Sequence, residues 1–207
     1  MNETSTLPIS APSRAERNAL RLAMFGAAMG AITVAMRLVK RIVEVLSNSN
    51  VPVSIPLDRV TANLPLGRGG TNLALSLDHA RLYFSDLSGI TLSSLILSEL
   101  VSAVAAVTLI AIVVLFYRNV IAGGTFGGAN SALALWASGA LICSEVLRAI
   151  FTSIGVKGAL DSLGGTSAAN WTFDLDFAPL LAGGVVAAIS AAFIRGERMQ
   201  RDTEGLV

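Results

Sequence analysis

The chain has 207 residues, of which 53% are hydrophobic and only 14% are charged. Because ordinary soluble domains have about 25% charged residues, this composition excludes most water-soluble folds and also a disordered chain. The 15 basic and 14 acidic residues give a net charge of +1, so the charge balance gives no reason to expect nucleic-acid binding. We therefore expect a multi-pass membrane protein whose main partner is the lipid bilayer.

The chain begins with a polar tail and a long apolar helix. Residues 1–18 are polar and contain two prolines, which predicts a disordered tail. Residues 19–46 have a helical pattern whose uncharged part, Leu22 to Met36, is flanked by arginines. A signal peptide would share these features, but no cleavage site of small residues follows and the helical pattern continues. We predict an uncleaved transmembrane helix over 19–46.

Residues 47–89 differ from the rest in their periodicity. Turn formers come first, in SNSNVPVSIP, and apolar residues then alternate with others around Val51–Leu57 and Leu73–Leu77. Alternation with a period of two is typical of β-strands, and LPLGRGG between the two runs indicates a turn. We predict a small antiparallel β-rich segment of two to four strands outside the bilayer.

Three further apolar segments have about the ~20 residues that a helix needs to cross a bilayer. They are residues 90–117, 131–153 and 177–195. Between and after them lie a Gly-rich loop, a polar loop and a charged tail, at 118–130, 154–176 and 196–207. The predicted fold class is all-α membrane: a four-transmembrane-helix bundle with a small extracytoplasmic β-rich segment between helices 1 and 2.

Lysines and arginines near the span ends predict how the chain is oriented. With the N-terminus in the cytoplasm, seven of these residues lie inside and six outside, and the long segment 47–89 raises the outside count. We therefore predict that both termini and the loop 118–130 are cytoplasmic, and that the loop 154–176 is extracytoplasmic.

Four ionisable residues lie within the predicted spans: Arg37, Glu99, Glu145 and Arg148. A charge inside a span is costly, so such residues usually face the bundle and pair with one another. One interpretation is structural, with the salt bridges Arg37–Glu99 and Glu145–Arg148 holding three helices together. The other is functional: a polar cavity, open to the outside, that binds a small ion or accepts protons.

No pattern in the chain indicates catalysis. His79 is the single histidine and Cys143 the single cysteine, so a histidine-based metal site and a disulfide within the chain are both excluded. GGT occurs three times, but the GK[ST] of a phosphate-binding loop follows none of them. We predict no enzyme activity, no catalytic residues, no metal and no cofactor.

The C-terminal tail mixes charges of both signs. Glu197 and Arg201 have the i,i+4 spacing of a solvated helix end. Alternatively the tail is a docking site for a partner, in which Arg195, Glu197, Arg198 and Arg201 make the contacts. Small residues also recur at four-residue spacing in several spans, which favours close packing within the bundle or in a homo-oligomer.

Two stretches of the C-terminal half carry a resemblance to a known family. FIRGERMQRDTEGLV at 193–207 follows an Ala-, Val- and Gly-rich last span, and IAGGTFGGANSALALWASGALI at 121–142 has a Gly before a Phe, a short gap and a Leu- and Gly-patterned span. In this order and spacing they resemble the uncharacterised bacterial membrane family called "domain of unknown function 2975". In place of the Ser or Asp usual after the loop Phe in that family, this chain has Gly127.

The resemblance has implications for topology and role. It implies four spans with both termini in the cytoplasm of a bacterial plasma (inner) membrane. The family has no assigned catalytic residues, so the resemblance implies none here. Its members often neighbour small helix-turn-helix regulators in bacterial genomes, which implies a sensing or regulatory role.

Two functions are compatible with these features. The first is an accessory or signalling membrane protein that acts through a cytoplasmic regulator or a membrane-protein partner and does not itself bind nucleic acid. The alternative is a small oligomeric transporter or ion-coupled carrier with Glu99 and Glu145 in its pathway. Deleting the tail should abolish the first function and leave the second, whereas Glu99→Gln should do the reverse.

Overall fold

The computed structural model describes residues 14–65, 72–121, 128–163 and 174–204. These residues form four helices and two strands, which in chain order are α1 (Arg14–Leu46), β1 (Val51–Pro65), β2 (Asn72–Phe84), α2 (Gly89–Ile121), α3 (Gly128–Asp161) and α4 (Phe177–Glu204). Each helix contains a stretch long and apolar enough to cross a membrane: Arg21–Leu46, Gly89–Ile121, Ala129–Asp161 and Phe177–Gly196. The predicted helical class is confirmed, and the described residues include four helices that length and composition suit to crossing a membrane, as expected for a multi-pass membrane protein.

The helices extend beyond the apolar segments that the sequence marks. α3 continues through a partly polar stretch to Asp161, and α4 continues through most of the charged tail to Glu204. Hydropathy detects only the part of a helix suited to the hydrocarbon core, whereas backbone hydrogen bonding continues into the polar ends.

The chain divides into two compact units. Unit one comprises Met1–Met36, Ala103–Glu145 and Asp176–Val207, and unit two comprises Arg37–Ser102 and Val146–Leu175. The β-hairpin therefore belongs to unit two and α4 to unit one, while α1, α2 and α3 contribute residues to both.

The two strands form an antiparallel hairpin. Val51 pairs with Phe84 at its base, and the register shifts between Pro56 and Val60. A register shift beside a proline is expected, because proline has no N–H to donate to the ladder. At the base the alternation behaves as predicted, since Val51 and Val53 are 0% and 1% exposed.

The hydrophobic core of unit two fixes the base of the hairpin to three helices. Its buried residues come from α1, both strands, the segment after β2, α2 and α3: Val45, Val51, Val53, Ile55, Phe84, Leu87, Leu95, Val156 and Ala159. Burial of this apolar surface supplies the main driving force for docking the hairpin.

The turn after α1 is hydrogen-bonded to the segment that precedes α2. Asn48 has a positive φ of 46°, a conformation that asparagine tolerates better than most residues. Its Oδ1 accepts from the Leu87 N–H at 2.9 Å, and its Nδ2 donates to the Leu87 carbonyl at 3.1 Å. Ser88 then caps α2, its Oγ accepting from the Thr91 N–H at 3.3 Å.

Within unit two, α2 and α3 approach closely where α3 has two glycines. A Cβ at Gly155 would lie 2.6 Å from the Leu95 Cδ2, and a Cβ at Gly158 would overlap the Thr91 Oγ1. Small residues at such positions let helix backbones approach each other in membranes.

Within unit one, α4 packs against α3 through small and polar residues. A Cβ at Gly183 would lie 2.7 Å from the Ile142 Cγ1, whereas Gly184 has open space beside it. The buried Ser190 donates from Oγ to the Ser131 carbonyl at 2.8 Å. Of these two adjacent glycines, Gly183 therefore lies in the contact between α4 and α3.

Candidate functional site: a cationic cavity in unit two

Unit two contains a cavity of about 590 Å³. The last turns of α1, the base of the hairpin, the first half of α2 and the last half of α3 line it. Its basic lining residues are Arg37, Lys40, Arg41, Arg81 and Arg148. Its acidic lining residues are Glu44 and Glu99, so positive charges exceed negative charges by three.

The cavity brings together three of the four charged residues that the sequence predicted as a cluster. Arg37, Glu99 and Arg148 all line it, although they come from three different helices. The fourth, Glu145, belongs to unit one.

Glu145 has a local structural contact. The residue is 4% exposed, and its Oε1 accepts a hydrogen bond from the Asp176 N–H at 2.9 Å. Asp176 in turn accepts from the Ala178 N–H through Oδ1 at 2.9 Å, which caps the start of α4. The Glu145 carboxylate thus holds the residue that caps the start of α4.

Arg41 organises the cavity, although no local sequence pattern points to it. Its Nε lies 3.5 Å from the Glu99 Oε1, and its Nη1 lies 3.7 Å from the Glu44 Oε2. Its Nη2 donates to the Pro52 carbonyl at 2.9 Å. With its side chain 20% exposed, Arg41 therefore links α1 to α2 and to the hairpin.

The predicted pairing of Arg37 with Glu99 is thus wrong in its basic partner. Glu99 pairs with Arg41, which lies one helical turn beyond Arg37. That interpretation paired charges that lie within the spans, and such positions do not resolve a shift of one turn, ~5.4 Å, between neighbouring helices.

Two of the lining arginines have no polar partner in the described part of the chain. Arg37 and Arg81 are exposed, and neither has a hydrogen bond or ion pair to a residue within the described ranges. By contrast, the 79% exposed Lys40 lies 3.8 Å from the Glu44 Oε1. Both acidic residues of the lining already contact basic groups, so Arg37 and Arg81 face the cavity without an acidic partner among the described residues.

The remaining lining combines hydroxyl groups with apolar side chains. Ser98 is 7% exposed and donates from Oγ to the Leu95 carbonyl at 2.8 Å. The 65% exposed Tyr83 also lines the cavity, together with Thr152 and Val156. Guanidinium and hydroxyl donors around a partly apolar space suit a ligand with a carboxylate or phosphate group.

A second polar contact in unit two involves the single histidine. The His79 Nε2 lies 3.5 Å from the Asp174 Oδ2, with the two side chains 58% and 53% exposed. The contact connects β2 to the segment that precedes α4. Both groups are too exposed for this contact to add much stability.

Metal binding has no support in the described part of the chain. No group of three or more His, Cys, Asp and Glu residues there could hold a metal ion. Cys143 is a free, exposed cysteine.

The predicted partner-binding residues lie in the last part of α4. Arg195 is exposed, and Met199 is 65% exposed. Glu197, Arg198 and Arg201 also lie in this helix, but their side chains are outside the described part of the structure. The tail residues are therefore positioned along a continuous helix that ends at Glu204.

Comparison of the chain with protein-family models, with curated proteins and with solved structures gives no match.

Proposed function

We propose that the chain is an accessory or signalling protein of a bacterial plasma membrane. In this proposal it has no chemistry of its own: the cavity of unit two receives an anionic ligand, and the end of α4 contacts a partner. Membership of the family "domain of unknown function 2975" is part of the same proposal and agrees with such a role.

One observation carries the proposal. Basic residues exceed acidic ones by three around a cavity of about 590 Å³, and two of its arginines have no ion pair within the described ranges. Charges in the spans of a membrane protein are costly and commonly mark ligand or ion sites. A cationic cavity therefore favours a receptor for an anion over a purely structural cluster.

Photo-crosslinking tests this function in native membranes. A photo-reactive residue replaces the exposed Met199, and adducts are compared between the wild-type cavity and Arg37→Gln/Arg81→Gln. We expect an adduct with a second protein whose yield changes about fivefold or more when the cavity is altered, as ligand–partner coupling requires. The matched control is Arg21→Gln/Arg118→Gln, which removes two exposed arginines outside the cavity and should leave the yield unchanged. The proposal would be contradicted if the only adducts join two copies of the chain and their yield does not change in the cavity variant.

A small oligomeric transporter or ion-coupled carrier is the second candidate. The observation that favours it is Glu145, a carboxylate only 4% exposed within the candidate span Ala129–Asp161. Buried carboxylates in spans commonly mark proton or ion pathways. Flux into liposomes that falls at least about tenfold in Glu145→Gln would support it. Flux no greater than that of empty vesicles would exclude it.

A further inference from the structure

We infer that the ligand of the cavity in unit two is the phosphate group of an anionic phospholipid drawn from the surrounding bilayer. The inference rests on the proposed function in one respect, that this cavity is a ligand site for anions. It adds the chemical class of the ligand and its source.

The arginines of the cavity match a phosphate group. Arg37 and Arg81 come from different elements, α1 and β2, and line the same space. The planar guanidinium fork binds phosphate oxygens in a bidentate manner and holds its charge at any physiological pH. Two such groups can hold the oxygens of one phosphate from two sides.

An added anion would enter a cavity whose own carboxylates are already engaged. Arg41 lies 3.5 Å from Glu99 and 3.7 Å from Glu44, and Lys40 lies 3.8 Å from Glu44. The phosphate therefore need not displace an acidic group from Arg37 or Arg81. The hydrogen bond from Arg41 to the Pro52 carbonyl fixes this wall in place before the ligand arrives.

The surface beside the cavity favours a lipid over a soluble anion. On α1, Val39, Val43 and Leu46 are 61%, 63% and 64% exposed and lie at i, i+4 and i+7, on one side of the helix. This stretch belongs to the candidate span Arg21–Leu46, so its exposed apolar side would meet acyl chains. Lys40, 79% exposed, lines the cavity and directly follows Val39 along the helix. A phospholipid can satisfy both features, with its phosphate among the cations and its chains passing Val39 towards the uncharged stretch Leu22–Met36 of the same helix.

The position of the cations along α1 also fits a headgroup. Leu22 to Met36 carries no charge, and four of the next eight residues are charged: Arg37, Lys40, Arg41 and Glu44. Such a change along a span marks the transition from hydrocarbon to the polar headgroup region. Basic residues at that depth bind lipid headgroups in other membrane proteins.

Lipid binding to the purified full-length protein tests the inference. Native mass spectrometry compares retention of phosphatidylglycerol with that of zwitterionic phosphatidylcholine, which has the same phosphate but no net charge. We expect retention of phosphatidylglycerol to exceed that of phosphatidylcholine at least about tenfold in the wild type, and Arg37→Gln/Arg81→Gln to abolish this preference. The control Arg21→Gln/Arg118→Gln should change the preference less than about twofold. An equal loss in the control, or full preference in the cavity variant, would overturn the inference.

Two further arms separate a lipid from a soluble phosphate. Val39→Ser/Val43→Ser leaves the cations in place and should weaken phosphatidylglycerol binding. In the second arm, glycerol 3-phosphate or inorganic phosphate should displace phosphatidylglycerol from the wild type only weakly. If these soluble phosphates bind as tightly as phosphatidylglycerol and displace it fully, the lipid inference fails, while the proposal that the cavity is an anion site remains supported. If neither lipid nor soluble phosphate binds, both fail. Should the arginine variant not fold, Lys40→Gln provides the test, because this 79% exposed side chain contributes little to stability.

Discussion

At the scale of single residues, the cavity depends most on Arg41. Its guanidinium contacts two carboxylates and a backbone carbonyl, so α1, α2 and the hairpin meet at one side chain. Arg37, one turn earlier, has no such contacts to described residues and faces the cavity. Neighbouring arginines on one helix therefore have different roles, one in positioning the wall and one available to a ligand.

This difference predicts that the same substitution lowers the free energy of unfolding much more at Arg41 than at Arg37. Arg41→Gln should lower the free energy of unfolding by about 1–3 kcal/mol, because the Glu99 carboxylate loses its charged partner. Arg37→Gln should change it by less than about 0.5 kcal/mol. Unfolding by SDS in mixed micelles measures both. Adding Glu99→Gln to Arg41→Gln should recover part of the loss, and an equal cost at the two arginines would contradict this assignment.

Asn48 is the second residue whose substitution is informative. Asn48→Ala should cost about 2–3 kcal/mol, because it removes two hydrogen bonds to Leu87 and leaves a residue with a Cβ but no stabilising amide at a φ of 46°. Asn48→Gly keeps the backbone freedom and should cost less than Asn48→Ala. The same micellar unfolding assay measures these differences, and an Asn48→Gly variant less stable than Asn48→Ala would show that backbone strain is unimportant here.

At the scale of elements, the packing of α2 against α3 holds unit two together. Gly155 faces Leu95 and Gly158 faces Thr91, and both contacts leave too little room for a further carbon. Thr91 is stiff at its branched side chain and its Oγ1 also contacts the Ser88 Oγ at 2.9 Å. The start of α2 and the end of α3 are therefore coupled through one tight contact.

Gly158→Ala should destabilise the protein by about 1–3 kcal/mol through overpacking, in spite of the better helix propensity of alanine. The matched control is Gly139→Ala in the same helix, where an added Cβ meets nothing within 4 Å. That substitution should be neutral or stabilise by up to about 1 kcal/mol. Thermal unfolding in detergent compares the two variants. Equal midpoints would show that α2 and α3 do not pack as closely as described.

At the scale of the whole molecule, the sequence predicts those helices and strands that depend on local patterns of residues. The four spans follow from continuous hydropathy, and the strand at Val51 follows from alternation. The partner of Glu99 could not be predicted, because it depends on the register between helices that are distant in sequence. Gly155 and Gly158 were missed for the same reason: a glycine reveals its role only when its neighbour is known.

Part of the candidate site was accessible to sequence reasoning. Arg37, Glu99 and Arg148 could be identified because charges in an apolar span are conspicuous. Lys40 and Arg41 could not be identified, since no local signal separates a solvated helix end from a cavity wall. The contribution of Arg81 depends on the hairpin folding back onto α1, which alternation alone does not specify.

Orientation is the property of the whole molecule that the proposed role most needs. A partner in the cytoplasm requires the end of α4 to lie inside, and the turn after α1 would then lie outside. We expect a membrane-impermeant maleimide to label Ser49→Cys in intact cells, and Met199→Cys only after permeabilisation; both positions are exposed. Cys143→Ala in each variant removes the native thiol, which is also exposed. The margin of basic residues is only seven to six, so charge alone holds this orientation weakly. Labelling of Met199→Cys in intact cells, with Ser49→Cys protected, would place the cationic cavity towards the cytoplasm and leave the tail without a cytoplasmic partner.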